Sequence, residues 1–356
     1  MRVGAAAIVA LAALGWGAGA GCRDASPAPR SAPVAPRPPV PSSPPPPPSV
    51  VAAPPVGGRI TWFPDPAEIG ARVALLADPA LRGRGSGTAD EAAAADTIAG
   101  WFRAAGVEPA GAAGGYLAPF TAAGLASQNV VGIIRGRDPA AGHIVIGAHL
   151  DHLGMVDGVV HPGADDNASG VAGLCAIAAA LAHAGQRPGP TVVVVAFGAE
   201  EIGLLGSAAY VAAPALPLDQ ARLMINLDMI GRARFLSGQA YALAHAVVAT
   251  DAIGVLTSPD AADLVTRARA AARTVGRPVV SASDFGPLER VVRPAIETRG
   301  DQASFAAVGV RYLWLSTSMH DDYHAPTDTA DKVDPATVAA VARIVVEVVL
   351  GLDSPP

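Results

Sequence analysis

The chain has 356 residues, with 25 Lys+Arg against 31 Asp+Glu and a formal net charge of −6. Hydrophobic residues make up 51% of it and charged ones 16%, enough to bury a sizeable core in one large α/β domain or two average ones. The acidic balance excludes a nucleic-acid surface, which needs clustered Lys/Arg. Two Cys exclude a disulfide framework, and the composition also excludes collagen, a coiled coil and a polytopic membrane protein.

The amino-terminal segment reads as an address. Met1-Arg2 is followed by an apolar stretch, residues 3–20, rich in Ala, Gly and Leu. One positive charge, a short apolar run and small residues after it match a secretory signal peptide over residues 1–21. A membrane span needs about 20 strongly hydrophobic residues, and Gly4, Gly15, Gly17 and Gly19 dilute this one. Cys22 after Ala20-Gly21 resembles the lipid-attachment site of bacterial lipoproteins, except that Gly19 stands where that motif carries an aliphatic residue. Lipidation and simple cleavage both stay open, and a lipidated Cys22 is the only membrane attachment expected. Either way the chain is expected to be exported, as a periplasmic, outer-membrane-anchored or secreted protein.

Residues 22–57 are mostly Pro, Ala, Ser and Val, with an unbroken run from Pro44 to Pro48. Such a segment cannot bury a core and favours the polyproline II helix, so it reads as a spacer, the stretch from Pro27 to Pro55 alone reaching up to ~90 Å.

Residues 58–356 read as one α/β domain. Helices are expected over residues 68–77 and 91–105, and strands over 129–135 and His143–His149. A helix follows over residues 169–184, with Val171, Leu174, Ala178 and Leu181 on one face. Thr191–Phe197 is a continuous apolar run of the kind buried on both faces. Residues 223–228 and Tyr312–Ser316 read as further strands, and Asp334-Pro335 opens a C-terminal helix as a cap followed by proline. Alternation of this kind implies a mostly parallel, mixed central sheet with helices on both faces. Ligands in such sheets collect at the carboxyl ends of the strands.

The acidic and His residues cluster at those ends. His149 closes a strand, and Asp151 two residues on is placed to orient its imidazole. Asp165-Asp166-Asn167 precede a helix they could cap. Glu200-Glu201 follow a buried apolar strand, where uncompensated charge is costly. Asp228 is read as an acid inside an apolar strand, and Tyr323-His324 closes a late loop. Two metal ions sharing one carboxylate need five residues, which His149, Asp166, Glu201, Asp228 and His324 supply. Glu200 is then left for proton transfer. Imidazole and carboxylate suit two zinc ions, with cobalt or manganese as substitutes. Of the other histidines, His152 and His161 read as solvated loop residues and His183 as a charge near a helix C-terminus. His143, His245 and His320 receive no role.

The segments Gly147-Ala-His149-Leu-Asp151-His-Leu-Gly154, Pro162 to Gly170, Ala199-Glu-Glu201, Asn226-Leu-Asp228-Met-Ile-Gly231 and Tyr323 to Thr329 together resemble the M28 family of zinc peptidases. The similarity runs over residues 61–351. It implies His149 and Asp228 on one zinc, Glu201 and His324 on the other, Asp166 as the bridge, and a cis bond from Asp166 to Asn167. Glu200 resembles the general base, Asp151 the residue behind a metal-binding His, and Tyr323 a stabiliser of the oxyanion. The sequence departs from the family where Gly300-Asp301-Gln302 replaces Ser-Asp-His, and it lacks the protease-associated insert of some relatives. Residues 232–299 match least well.

The resemblance implies an exopeptidase removing N-terminal residues from peptides. A carboxypeptidase, a glutaminyl-cyclase-like acyltransferase and a non-enzymatic surface protein are the alternatives on this fold. Residue specificity and oligomeric state are not encoded in any recognisable segment.

Overall fold

The strands that carry the site are runs of β-branched residues, which favour a pleated, buried setting. In the computed structural model, which describes residues 59–183, 185–234 and 248–352, they form a nine-stranded mixed sheet. The signal-like segment, Cys22, the Pro-rich spacer and His245 lie outside the described residues. In chain order the early strands are β1 (Glu108–Pro109), β2 (Leu117–Ala122), β3 (Leu125–Ile134) and β4 (His143–His149). A small hairpin, β5 (Gly154–Val156) and β6 (Val159–His161), stands apart from the main sheet. Then come β7 (Thr191–Phe197), β8 (Ala221–Leu227), β9 (Ile253–Thr257), β10 (Val279–Ser281) and β11 (Tyr312–Ser316).

The sheet order is β1-β3-β7-β4-β8-β11-β9-β10, with β2 paired to β3. Its centre, β7-β4-β8-β11, is parallel, whereas β3 and β9 run antiparallel to their central neighbours. His149 pairs with Phe197 and Leu315 with Leu227, so the carboxyl ends of the central strands stand level.

Eight helices are described: α1 (Pro66–Leu76), α2 (Ala89–Ala104), α3 (Gly170–Ala182), α4 (Leu205–Ala212), α5 (Ala262–Thr274), α6 (Glu289–Glu297), α7 (Gln302–Ala306) and α8 (Pro335–Gly351). Successive strand residues face opposite sides. Ile144, Ile146, Val192 and Val194 therefore join α1, α2, α3, α5 and α8 in one core. Val145, Val193, Val195 and Phe197 pack on the other side with Tyr210 of α4, Val292 of α6 and Phe305 of α7. The result is the three-layer α/β/α arrangement expected from the alternation of strands and helices.

Three details differ from the expected elements. The first two helices begin earlier, because Asp65 and Thr88 accept hydrogen bonds from Ala67 N and Glu91 N and cap them there. The helix expected over 169–184 begins at Gly170, after a wide turn at Ala164–Ser169 that contains a cis bond between Asp166 and Asn167. Asp228 is not inside a strand. β8 stops at Leu227, whose carbonyl accepts from the Asn167 side chain at 2.9 Å. Asp228 follows it directly, its amide still donating to Leu315 O at 3.2 Å. Among the described residues, no helix is long and apolar enough to cross a membrane.

Candidate metal centre

Three strand ends, one turn and one late loop deliver the charged side chains. β4 ends on His149, β7 leads into Gly198-Ala199-Glu200-Glu201, and β8 leads into Asp228. The turn before α3 supplies Asp166, and the segment after β11 supplies His324.

Asp166 lies at the middle of this group. Its Oδ1 is 3.2 Å from His149 Nε2, which is itself 3.5 Å from Asp228 Oδ1. Its Oδ2 is 3.2 Å from His324 Nε2, which is 3.2 Å from Glu201 Oε2. The five side chains thus form two clusters that share one carboxylate. Ligand atoms held ~2.0–2.2 Å from a tetrahedral zinc stand roughly 3.3–3.6 Å apart, and the groups His149–Asp166–Asp228, His149–Glu200–Glu201 and His152–Asp166–Glu201 each bring their ligand atoms within 4.8 Å of one another, as a divalent cation needs. The charge fits as well. Asp151, Asp166, Glu200, Glu201, Asp228 and Asp301 gather around two imidazoles, a concentration of anions that calls for added cations. Against the desolvation that lowers them, the surrounding carboxylates raise the pKa of both imidazoles, His324 to about 10, and a bound cation would take the place of those protons. Glu200 is held well above the usual carboxylate range by burial, with Glu201, Asp301 and Asp228 adding to the effect.

The turn bearing the two glutamates is fixed one amide at a time. Gly198 N donates to Asn129 Oδ1 at 3.1 Å and Ala199 N to Glu91 Oε1 at 3.0 Å. Glu200 N and Glu201 N donate to the two oxygens of Asp151, at 3.0 and 3.3 Å. Four successive N–H groups thus point to side chains from three other places in the chain. Ala199 has φ +53°, the left-handed region that non-glycine residues rarely occupy. A Cβ on Gly198 would lie 2.5 Å from both Gln128 O and Ser127 Oγ, so only glycine fits beneath the turn. Glu91 also accepts from Ser127 Oγ and Gly87 N.

Asp151 sits differently from the expectation. His149 Nδ1 is 3.2 Å from the Asp151 backbone carbonyl and 3.8 Å from its carboxylate. Because β4 ends at His149, the same-side rule for residues two apart no longer applies, and the carboxylate turns to the Glu200 and Glu201 amides and the Ser86 hydroxyl. The Tyr323 ring stacks on that of His324, with centroids 3.9 Å apart.

Several partners were not legible in the sequence. His152 is buried rather than solvated, with Nδ1 2.7 Å from Glu201 Oε1. His161 is buried too, and His183 stacks on Trp62. His320 Nε2 lies 3.1 Å from Asp165 Oδ2. Arg84 is enclosed and donates to the carbonyls of Leu76, Leu150, Pro162 and Gly163, tying together the loops around Asp151 and Asp166. Asp328 accepts from the Asp165 and Asp166 amides and from Arg232. The replaced motif residues also find places. Gln302 Oε1 accepts from Asn226 Nδ2, and Asp301 is buried near Ser207 and pushed up to about 7 by desolvation.

The model of peptidase family M28 matches residues 129–349. The chain belongs to that family. Its match to leupeptin-inactivating enzyme 1 of Streptomyces exfoliatus is 33% identical over 149 residues, covering 42% of this chain and 31% of that protein. Aminopeptidase YwaD of Bacillus subtilis is 36% identical over 107 residues, 30% of this chain and 22% of YwaD. The matched part of this M28 chain thus spans about a third or less of these curated relatives. The fold is shared with the Legionella pneumophila LapA aminopeptidase, at a TM-score of 0.61, 18% identity and coverage of 82% and 72% of the two chains. It is shared also with BSAP, a zinc aminopeptidase from Bacillus subtilis, at 0.59, 18%, and 81% and 95%.

Proposed function

We infer that this M28 chain is a metal-dependent aminopeptidase carrying two zinc ions. The carrying observation is the division of Asp166 between the His149–Asp228 and His324–Glu201 clusters. Membership of a peptidase family and matches to aminopeptidase YwaD support the reading. In it, His149 and Asp228 hold one ion, Glu201 and His324 the other, and Asp166 bridges them.

When bound, the ions supply a water acidified toward neutrality and Lewis-acid polarisation of the scissile carbonyl. Glu200, whose carboxylate lies within 4.8 Å of the His149 and Glu201 ligand atoms, takes the proton of the attacking water and returns it to the leaving amine. The Tyr323 hydroxyl, beside His324, donates to the oxyanion. Asp151 keeps the Glu200–Glu201 turn in register by accepting both amides.

Residues 1–21 direct export, residues 22–57 act as a spacer, and residues 58–356 form the peptidase domain. The test is a panel of aminoacyl-anilides and N-blocked peptides, assayed with and without a chelator. Cleavage of free-amine substrates alone, abolished by the chelator and restored by zinc, is the expected result. Cleavage of N-blocked substrates would replace the aminopeptidase reading, and chelator-resistant activity would end the metal reading.

A further inference from the structure

Large apolar side chains exposed to solvent are few among the described residues, and they are not scattered. Five are prominent; Met155, Val156 and Val159 share the β5–β6 hairpin, and Met155 lines one groove together with Glu201 and Ile202, the residue directly after it. Met155 is 49% and Ile202 51% exposed, a cost in water unless something covers them.

Met155 and Ile202 both line a groove of about 430 Å³. Leu153 and His152 line it as well, as do Arg82 and Asp90, which pair at 2.6 Å. Glu201 lines the same groove, so the groove and the metal centre are continuous. On the Asp228 side, by contrast, Met229, Ile230 and Met319 are buried.

An exopeptidase must accommodate one terminal residue of fixed size and a remainder of any length. The remainder needs an exit open to solvent, and the groove past Glu201 provides one. The geometry points to this groove as the subsite for the residue that follows the scissile bond, selective for an apolar side chain there. Leu153, Met155 and Ile202 enclose that side chain, and the Arg82–Asp90 pair leaves polar groups for the peptide backbone beyond it. This inference rests on the aminopeptidase reading and extends it to substrate class.

The experiment uses zinc-loaded enzyme and dipeptides and tripeptides that share an accepted first residue and carry Gly, Leu, Glu or Lys second. The wild type is expected to favour Leu over Gly by roughly tenfold or more in kcat/KM, the size of discrimination that apolar subsites give. Ile202→Ser and Met155→Ser should pull that ratio toward one. Val308→Ser, which removes an exposed apolar side chain outside the groove, should leave it unchanged. Indifference of the active wild type to the second residue, or a ratio that survives both groove variants, overturns the inference and leaves the aminopeptidase reading intact. So does a change in sedimentation rather than selectivity in the groove variants, which would make the patch an interface between copies. Failure to cleave any free-amine peptide overturns both.

Discussion

Glu91 and Ala199 are 108 positions apart, yet Glu91 Oε1 accepts the Ala199 N–H at 3.0 Å, within the turn that presents Glu200 and Glu201. Together with Asn129 and Asp151 it accounts for four consecutive amides. Glu91→Ala leaves the Ala199 and Gly87 amides and the Ser127 hydroxyl without that acceptor, a loss of about 1–3 kcal/mol in stability for each buried group orphaned. A displacement of the turn by even ~1 Å would lower kcat by about 100-fold. Steady-state kinetics and urea denaturation of the variant check both, with kcat expected to fall more than KM changes.

Glu91 also makes stability depend on pH. Burial, with the Asp151 charge adding to it, pushes its carboxyl from the ordinary 4.5 up to about 7, against the three hydrogen bonds it accepts. A folded-state pKa raised in this way favours folding while the proton is bound. The contribution is complete below about 4.5 and is lost as pH rises through about 7. Glu91→Gln has no proton to lose. Thermal unfolding across pH 4–8 should show the wild type losing stability relative to this variant over that window, whereas parallel curves would contradict the assignment.

The two adjacent glutamates should separate cleanly. Glu200→Gln keeps the shape of the side chain and removes the proton carrier, so turnover should fall by about 10²–10⁴-fold with metal content unchanged. Glu201→Ala removes the partner of His324 and His152 and should lower metal content itself. Metal analysis beside the kinetics distinguishes the two.

How much of this was visible in the sequence depends on the range of each interaction. His143–His149 and Thr191–Phe197 were legible to the residue because β-branched apolar runs bounded by Gly142 and Gly198 have few other uses. The five candidate ligands were proposed because each stands at the end of such a run or in a short motif. Glu91 was not, since Thr88-Ala-Asp-Glu91 looks like an ordinary capping box, and its carboxylate instead reaches Gly87 N and Ala199 N. Nor was His152, whose partner Glu201 is 49 positions away. Local periodicity carries no information on such pairings. The Asp228 strand was read one residue too long, β8 stopping at Leu227, whose carbonyl bonds to the side chain of Asn167, 60 positions away.

Asp328 anchors the Asp165–Asp166 turn through both its amides while pairing with Arg232 at 2.6 Å. Asp328→Ala leaves a buried guanidinium with less compensation and two amides without their acceptor, at a cost of about 3–5 kcal/mol. Asp328→Asn retains an acceptor oxygen and should cost less. Chemical denaturation of the pair tests the order, and equal loss in both would place the effect elsewhere.

The central claim is that Asp166 serves two cation sites at once. Calorimetric titration of the metal-stripped protein with zinc addresses it directly. The wild type should take up two equivalents per chain, and Asp166→Ala should weaken both together, because each cluster loses one of its oxygens. Uptake of a single equivalent by the wild type, or two undiminished equivalents in the variant, would contradict the account.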